Sequence, residues 1–468
     1  MTTFHRESKS FFKDLAVRLT GQLIVPEDAA YEQVRRLWNG KVTTHPAALV
    51  RCANTQDVIH AVRWARSHGL ALSVRGGGHD FAGRALRKGG VVIDCSQMRA
   101  VTIDPAARTA RIQGGATIGD LIGASREHGL ATTTGTISSV GMAGLTLGGG
   151  YGPLMGKYGL IADTLLSAQV VTAEGQLVTA NATEHADLFW GLRGGGGNFG
   201  VVVSLEYRLH PLTTVLSGLL LYPLDQARAV LRYYNEFITT APDALTIQFG
   251  FIQMPDGTPV LFLSPVYCGP LEAGERVLAP LRATGSPLTD QIQPITYDAL
   301  VHTIDALFPK GRHYFCQTQS LAGLRAETIE ALVESAQRFS SPFSGISIHH
   351  FHGAASRVSA SETAFAPRQD HLMVEIVAGW EPQSPEEDQK HVQWAQASSD
   401  ALAPYALKGG YINMLDEGEQ ERVPLTFGPN YERLLELKRT YDPNDVFHST
   451  IGHIPPVASS RSLEKSSL

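Results

Sequence analysis

Residues 73–83 read SVRGGGHDFAG: an apolar run with the look of a strand, then three glycines, then His79. Glycine lacks the Cβ that keeps other residues from approaching a ligand with their backbone, and a run of glycines can turn successive N–H groups toward one anion. A histidine at the mouth of such a loop sets a neutral nucleophile beside whatever the loop holds. Two more loops share the texture, GMAGLTLGGGYG at 141–152 and RGGGGNFG at 193–200. Any one of them also serves as a tight turn. Three together suit a pyrophosphate. None is a dinucleotide fingerprint of strand, GxGxxG and helix with an acidic residue about twenty positions on. LGGGYGPLMG (147–156) leads into neither a clean amphipathic helix nor such a strand, so a nicotinamide enzyme of that fold is the weaker alternative. No GxxxxGK[ST] occurs, which excludes a Walker A loop.

The 468 residues are 43% apolar, enough for a sizeable core in two or three structural units. A net charge of −6 without a basic block argues against nucleic acid or an anionic membrane as partner and leaves small molecules as the ligands. The start, MTTFHRESKSFFKDLAVRLTG, mixes charges with apolar residues at helical spacing and reads as a short amphipathic helix rather than a secretory signal. No run reaches the ~18 apolar residues of a membrane span. Cys52, Cys95, Cys268 and Cys316 have no metal-type spacing, so a cytoplasmic location with reduced, mostly buried thiols is expected.

Between residues 45 and 213, short β-type runs (Ala47 to Cys52, Ala71 to Val74, Val91 to Asp94, Thr109 to Gln113, Ala168 to Val171, Val201 to Leu209) mix with helices. One helix starts at Asn54 or Thr55 and ends at Gly69. From 214 to 409 the strands and helices lengthen. TIQFGFIQMPDGTPVLFLSPVY predicts a hairpin turning at Asp256-Gly257, and AETIEALVESAQRF and PEEDQKHVQWAQASSDAL predict amphipathic helices, giving an antiparallel sheet backed by helices. A last helix in NYERLLELKRTYDPNDVF stops at Asp442-Pro443, and the final dozen residues read as disordered.

SVRGGGHDFAG, GTISSVGMAGLTLGGGYGPLMGKYGLIADTLL, ADLFWGLRGGGGNFGVVVSLEYRL and NYERLLELKRTYDPNDVF together resemble the FAD-linked oxidoreductases of the berberine-bridge-enzyme-like group, within the vanillyl-alcohol oxidase and p-cresol methylhydroxylase superfamily. The pattern is most similar to the bacterial 6-hydroxy-D-nicotine oxidase branch. The resemblance implies an α+β fold. Residues 1–213 (core 45–213) and 410–468 would form a two-part FAD-binding domain, and 214–409 an α/β substrate domain. It implies that His79 is joined covalently to the 8α carbon of the flavin. Ile137 stands where many relatives carry a second, cysteine tether, so a single linkage is expected, and Leu145 replaces a histidine near the flavin pyrimidine.

By the same matching Arg75, Gly76, Gly77, Gly78 and Asp80 wrap the pyrophosphate and Gly83 closes the loop. Gly135, Ser139, Gly141 and Gly144 add contacts to phosphates and ribose, and Asn198, Gly200 and Val202 run beside the cofactor. Asn413 lies near the flavin ring and Val140 at the position of the oxygen gate. Thr450 and Gly452 replace a C-terminal N-x-N. Met414 stands where the sugar oxidases carry their tyrosine base, which favours an amine or hydrophobic alcohol over a carbohydrate.

A base is then sought in GISIHHFHGAA (345–355), where alternation groups Ile348, His350 and His352 on one face; if that sheet roofs the flavin, His350 and His352 point at the substrate. The other reading is a polar outer face of an edge strand. Tyr151 matches a family active-site tyrosine, and Tyr411 is a further pocket residue. The expected activity is oxidation of a small organic amine or alcohol by hydride transfer to flavin N5, with O2 reduced to H2O2. A dehydrogenase or cyclising enzyme using another acceptor, and a non-catalytic flavin-binding protein, stay as alternatives. Oligomeric state is open, a homodimer included.

Overall fold

The computed structural model describes residues 7–448 and 452–455. The expectations for Thr450 and for a disordered final dozen lie outside the described residues, as do residues 1–6 of the N-terminal helix. Among the described residues of that expected helix there are two short pieces, Glu7–Phe11 and Lys13–Ala16, with Phe12 and Leu15 buried in the same apolar cluster as Val58 and Trp64.

Two sheets carry the glycine loops. In the first, Ala48–Arg51 and Leu72–Arg75 flank Val91–Asp94 in parallel, and Gln22–Ile24 adds an antiparallel edge. The helix Thr55–Ser67 joins two of these strands. Asn54 caps its start by accepting from the Asp57 N–H at 3.1 Å, and Gly69, at φ +63°, ends it. The second sheet is antiparallel in the order Val101–Asp104, Thr109–Gln113, Val201–Arg208, Leu165–Val171, Leu177–Asn181. Its two outer strands escape a reading of the sequence because both are half-exposed, so neither forms a continuous apolar run.

The middle of the chain builds an antiparallel sheet of nine strands. Leu245–Gln253 and Pro259–Tyr267 form the expected hairpin, with Gly257 at φ +86° in the turn. Gly345–Phe351 pairs with Leu245–Gln253 on one side and with His371–Trp380 on the other. The helices Ala227–Phe237, Ala326–Gln337 and Pro385–Leu402 cover one face, where Ile247, Phe249, Ile346, Ile348, Val374 and Ile376 form a dry core with Leu231, Leu332 and Trp394. The opposite face is left for a ligand. The helix Tyr431–Tyr441 ends before Pro443, and residues between Ile412 and Ile454 join the core of the second sheet.

Alternation along Gly345–Phe351 corrects the expected histidines. Ile346 and Ile348 are drawn into the helix-side core, and His350 shares their face. His350 is buried away from the open face and bonds Asp370 at 3.0 Å, while His352 stacks on it with ring centroids 4.4 Å apart. Neither lines the large cavity described below. His349, which precedes them in sequence, does.

A buried charge cluster ties the C-terminal helix to the third glycine loop. Lys438 is fully enclosed and donates to the carbonyls of Asn198 (3.2 Å) and Phe447 (3.1 Å) and to Asp442 (2.7 Å). All four cysteines are buried and free, and among the described residues no helix is long and apolar enough to cross a membrane.

Lys438→Met should destabilise the protein by about 3–5 kcal/mol in denaturant titrations, because Asp442 is then buried without its cation; an unchanged midpoint would contradict the role given to the cluster. Burial also pushes the imidazoles of His352 and His371 down to about 4. Between pH ~6.5 and ~4 the unfolded chain therefore binds protons that the folded chain refuses, so stability should fall as pH falls through that window. His352→Gln and His371→Gln should each flatten the slope by about one proton, read from urea midpoints at stepped pH.

Candidate functional site

The three glycine loops and the open face of the nine-stranded sheet enclose a cavity of about 530 Å³. At one end Gly77 and Gly141 meet backbone to backbone: a Cβ on Gly77 would lie 2.4 Å from the Gly141 nitrogen, and one on Gly141 2.5 Å from the Gly77 nitrogen. Gly76, Gly78, Gly135, Gly144 and Gly200 also line this end. The backbone N–H groups of Gly76, Gly77, Gly78, His79 and Gly141 find no acceptor among the described residues. Unpaired amides in succession are the donor set that a pyrophosphate satisfies. The residues present therefore fit a dinucleotide-like cofactor.

Not every residue expected at the phosphates is there. Arg75 is turned away, because its register partner in the parallel ladder is Asp94. Its guanidinium grips that carboxylate through two nitrogens and donates to the Val34 carbonyl. Arg84 supplies the guanidinium of the cavity wall instead, held by Asp80 at 2.7 Å. Gly83, at φ +76°, shapes the turn between them and packs on Val42 rather than on the cavity. Asn198 is buried behind the loop, donating to the carbonyls of Gly195 and Gly452 and accepting from the Ile454 N–H, so it clamps the C-terminal segment. Val202, Val140, Ile137 and Leu145 form apolar wall.

His79 follows the first glycine loop in the cavity wall. Its Nε2 lies 3.1 Å from Ser139 Oγ, so Ser139, expected at the phosphates and ribose, is instead turned to the imidazole and does not line the cavity, and the ring stacks on Trp38 with centroids 4.0 Å apart and planes 19° from parallel. Enclosure pushes its pKa down to about 4, so the imidazole is neutral at ordinary pH. Trp38 is itself backed by Tyr314 at 4.1 Å and donates its indole N–H to the Phe308 carbonyl at 2.9 Å.

The far end is walled by tyrosines and by the sheet. Tyr151 donates its hydroxyl proton to His371 Nε2 at 2.7 Å; the direction follows because His371 uses Nδ1–H on the Gln369 carbonyl, also at 2.7 Å, and burial keeps the ring neutral. Tyr411 lies 4.7 Å from Tyr151, ring to ring, and its oxygen accepts from Asn413 Nδ2 at 2.8 Å. Asn413 Oδ1 is buried with no partner among the described residues. Burial raises both phenols well above the usual range. Beside them the sheet presents Gln248, Ser347, His349 and Glu375, with the His349 ring edge-on to Tyr151 at 6.3 Å, in an otherwise largely apolar roof that includes Leu219, Ile252, Phe262 and Val377. His349 Nε2 lies 3.6 Å from the Glu375 carboxylate and 3.4 Å from Gln248 Nε2.

Trp38, Arg84, His349 and Glu375 were not singled out from the sequence. Glu375 did leave a signal, being the one acid in the apolar strand HLMVEIVAGW. Trp38 left none, since it stands in an irregular segment.

The family model described as FAD binding domain matches residues 46–181, and that described as Berberine and berberine like matches 410–452. The (R)-6-hydroxynicotine oxidase of Paenarthrobacter nicotinovorans is 31% identical over 450 residues, spanning 92% of this chain and 95% of that protein. The crystal structure of 6-hydroxy-D-nicotine oxidase from Arthrobacter nicotinovorans superposes with a TM-score of 0.85 at 30% identity, over 93% of this chain and 98% of that one. Physcomitrella patens BBE-like 1 shares the fold with a TM-score of 0.84 at 22% identity, over 93% and 97% of the two chains. With glycine loops, cavity and both halves of the family pattern in place on a vanillyl-alcohol-oxidase-type fold, the chain belongs to the berberine-bridge-enzyme-like FAD-linked oxidoreductases.

Proposed function

We propose that the protein is an oxidase that carries FAD on His79 through a single bond and oxidises a small organic amine or alcohol, with dioxygen as acceptor and hydrogen peroxide as product. Residues 1–213 and 410–468 make the cofactor unit in this reading, and 214–409 the substrate unit. The observation that carries it is the polar pair His349–Glu375 set in an apolar roof and lining the same cavity as His79, Tyr151 and Tyr411.

Bound along the glycine loops, FAD supplies the acceptor for a hydride and passes the electrons to dioxygen. The chain supplies the rest. The unpaired amides of Gly76–His79 and Gly141 hold the pyrophosphate, and Arg84 adds positive charge. A hydride leaves readily only as a proton leaves the neighbouring nitrogen or oxygen, and Met414 cannot accept one. His349 can. Its imidazole takes the proton, and Glu375 stabilises the imidazolium that results. Tyr151 has committed its hydroxyl proton to His371, so its oxygen offers lone pairs to the cavity and orients a substrate N–H or O–H. The 31% identical relative is named for a nicotine derivative, an amine, which agrees with a carboxylate in the roof.

Purified protein should be yellow and keep its flavin through acid precipitation, whereas His79→Ala should release FAD to the supernatant; complete release from the wild type would remove the covalent bond from this reading. An anaerobic screen of amines, alcohols and sugars for bleaching of the oxidised flavin band, then admission of air, identifies the substrate class and the acceptor. With that substrate His349→Ala should slow flavin reduction by about 10²- to 10⁴-fold and leave reoxidation unchanged, while His350→Ala should reduce like wild type. Wild-type reduction in His349→Ala would assign the proton to another group.

A further inference from the structure

Two contacts on His79 have no part in substrate oxidation, and both are anchored by the same short segment. Ser139 meets Nε2 at 3.1 Å, while Nδ1 has only His79's own carbonyl as a partner among the described residues, so the two compete for the single ring proton. Ser139 is held in place through its neighbour: Asp305 accepts from the Ser138 N–H at 2.9 Å and from its hydroxyl at 2.5 Å, and is itself bonded by His302 Nδ1 at 2.9 Å. Trp38, on the face of the imidazole, is anchored through its indole N–H to the Phe308 carbonyl. Residues 305–308 thus fix both partners of one ring.

We propose that Ser139 and Trp38 are positioning residues for attachment of the flavin, Ser139 exposing Nδ1 as the attacking atom and serving as the outlet for the Nε2 proton, with the 305–308 segment holding the pair in register. This rests on the assignment of the covalent bond to His79.

The chemistry requires both halves. Attachment forms a bond from Nδ1 to the carbon of the flavin 8-methyl group and breaks one C–H bond of that methyl and the Nε2–H bond. The two electrons and, in sum, the two protons pass to the flavin, which dioxygen returns to the oxidised state with release of hydrogen peroxide. A nitrogen attacks only with a free lone pair, so the single proton of the neutral imidazole must sit on Nε2 beforehand. Ser139 Oγ accepts that N–H. Once Nδ1 is alkylated, Nε2 must give up its proton or leave a cation in an enclosed site that disfavours one. Ser139 then donates O–H to the bare Nε2. A hydroxyl can take both parts; a methyl group can take neither. The stack on Trp38 keeps the ring plane fixed while the methyl carbon closes to bonding distance.

The test is a time course of attachment. Wild-type, Ser139→Ala, Ser139→Thr and Trp38→Ala proteins, produced with limiting riboflavin, are incubated with FAD in air. Total flavin is read from the absorbance of the native protein and attached flavin from the fluorescence of the acid-precipitated chain. Ser139→Ala should load FAD as the wild type does yet attach it at least about tenfold more slowly, the low end for loss of a positioned proton-transfer group. Ser139→Thr should restore the rate, and Trp38→Ala should slow it. Attachment in Ser139→Ala at the wild-type rate overturns the proposal. A wild type that never retains flavin through acid overturns instead the assignment to His79, and Ser139→Thr as slow as Ser139→Ala shows that packing, not the hydroxyl, sets the rate and also overturns it.

Discussion

The close approach of Gly77 to Gly141 is the contact on which the site depends. A side chain on either residue would drive into the other's backbone, so the first and second glycine loops can meet only if both lack a Cβ. That meeting brings His79 beside Ser139 and leaves a succession of amides without protein acceptors. Those N–H groups open onto the cavity instead of pairing within the fold, which makes the loop a binding surface for an anion. Arg75 and Asp94, paired across the neighbouring ladder, keep the strand that feeds the loop from shifting.

Around that contact the chain divides its work by sheet face. On the nine-stranded sheet, one set of alternating residues packs under three helices and fixes the strands, which frees the other set to carry Gln248, Ser347, His349 and Glu375. The polar groups sit on a rigid plate, so their mutual distances follow from register rather than from loop conformation. The rings behind the cavity act in a similar way. His371 fixes the direction of the Tyr151 hydroxyl because its own Nδ1 is committed to a backbone carbonyl.

What was legible in the sequence was local. Glycine runs, the Asp256-Gly257 turn, the helix caps and the four family blocks all announce themselves within a few residues, and the α+β architecture follows from them. Phase was not legible. Alternation in GISIHHFHGAA divides the histidines into two sets, but which set faces the ligand is decided by Leu332 and Trp394, residues on distant helices that claim Ile346 and Ile348 for the core. Arg75 was misassigned for the same reason. Its partner lies nineteen positions on, in a strand whose register no local pattern reveals. Asn198, read as a cofactor residue, is instead claimed by the backbone around Gly452 and Ile454 at the other end of the chain.

The anchoring of Trp38 and Ser138 by residues 305–308 has a consequence for how the protein is made. Residues 38, 79 and 139 leave the ribosome well before the segment that steadies them. At about 5–20 residues per second, Phe308 follows Ser139 by roughly 10–30 seconds. During that interval the loops exist on the nascent chain without their clamp. The wall around His79 is thereby completed only after translation has passed about two-thirds of the chain, so a truncated product that never folds its central sheet against the N-terminal loops lacks a finished cavity.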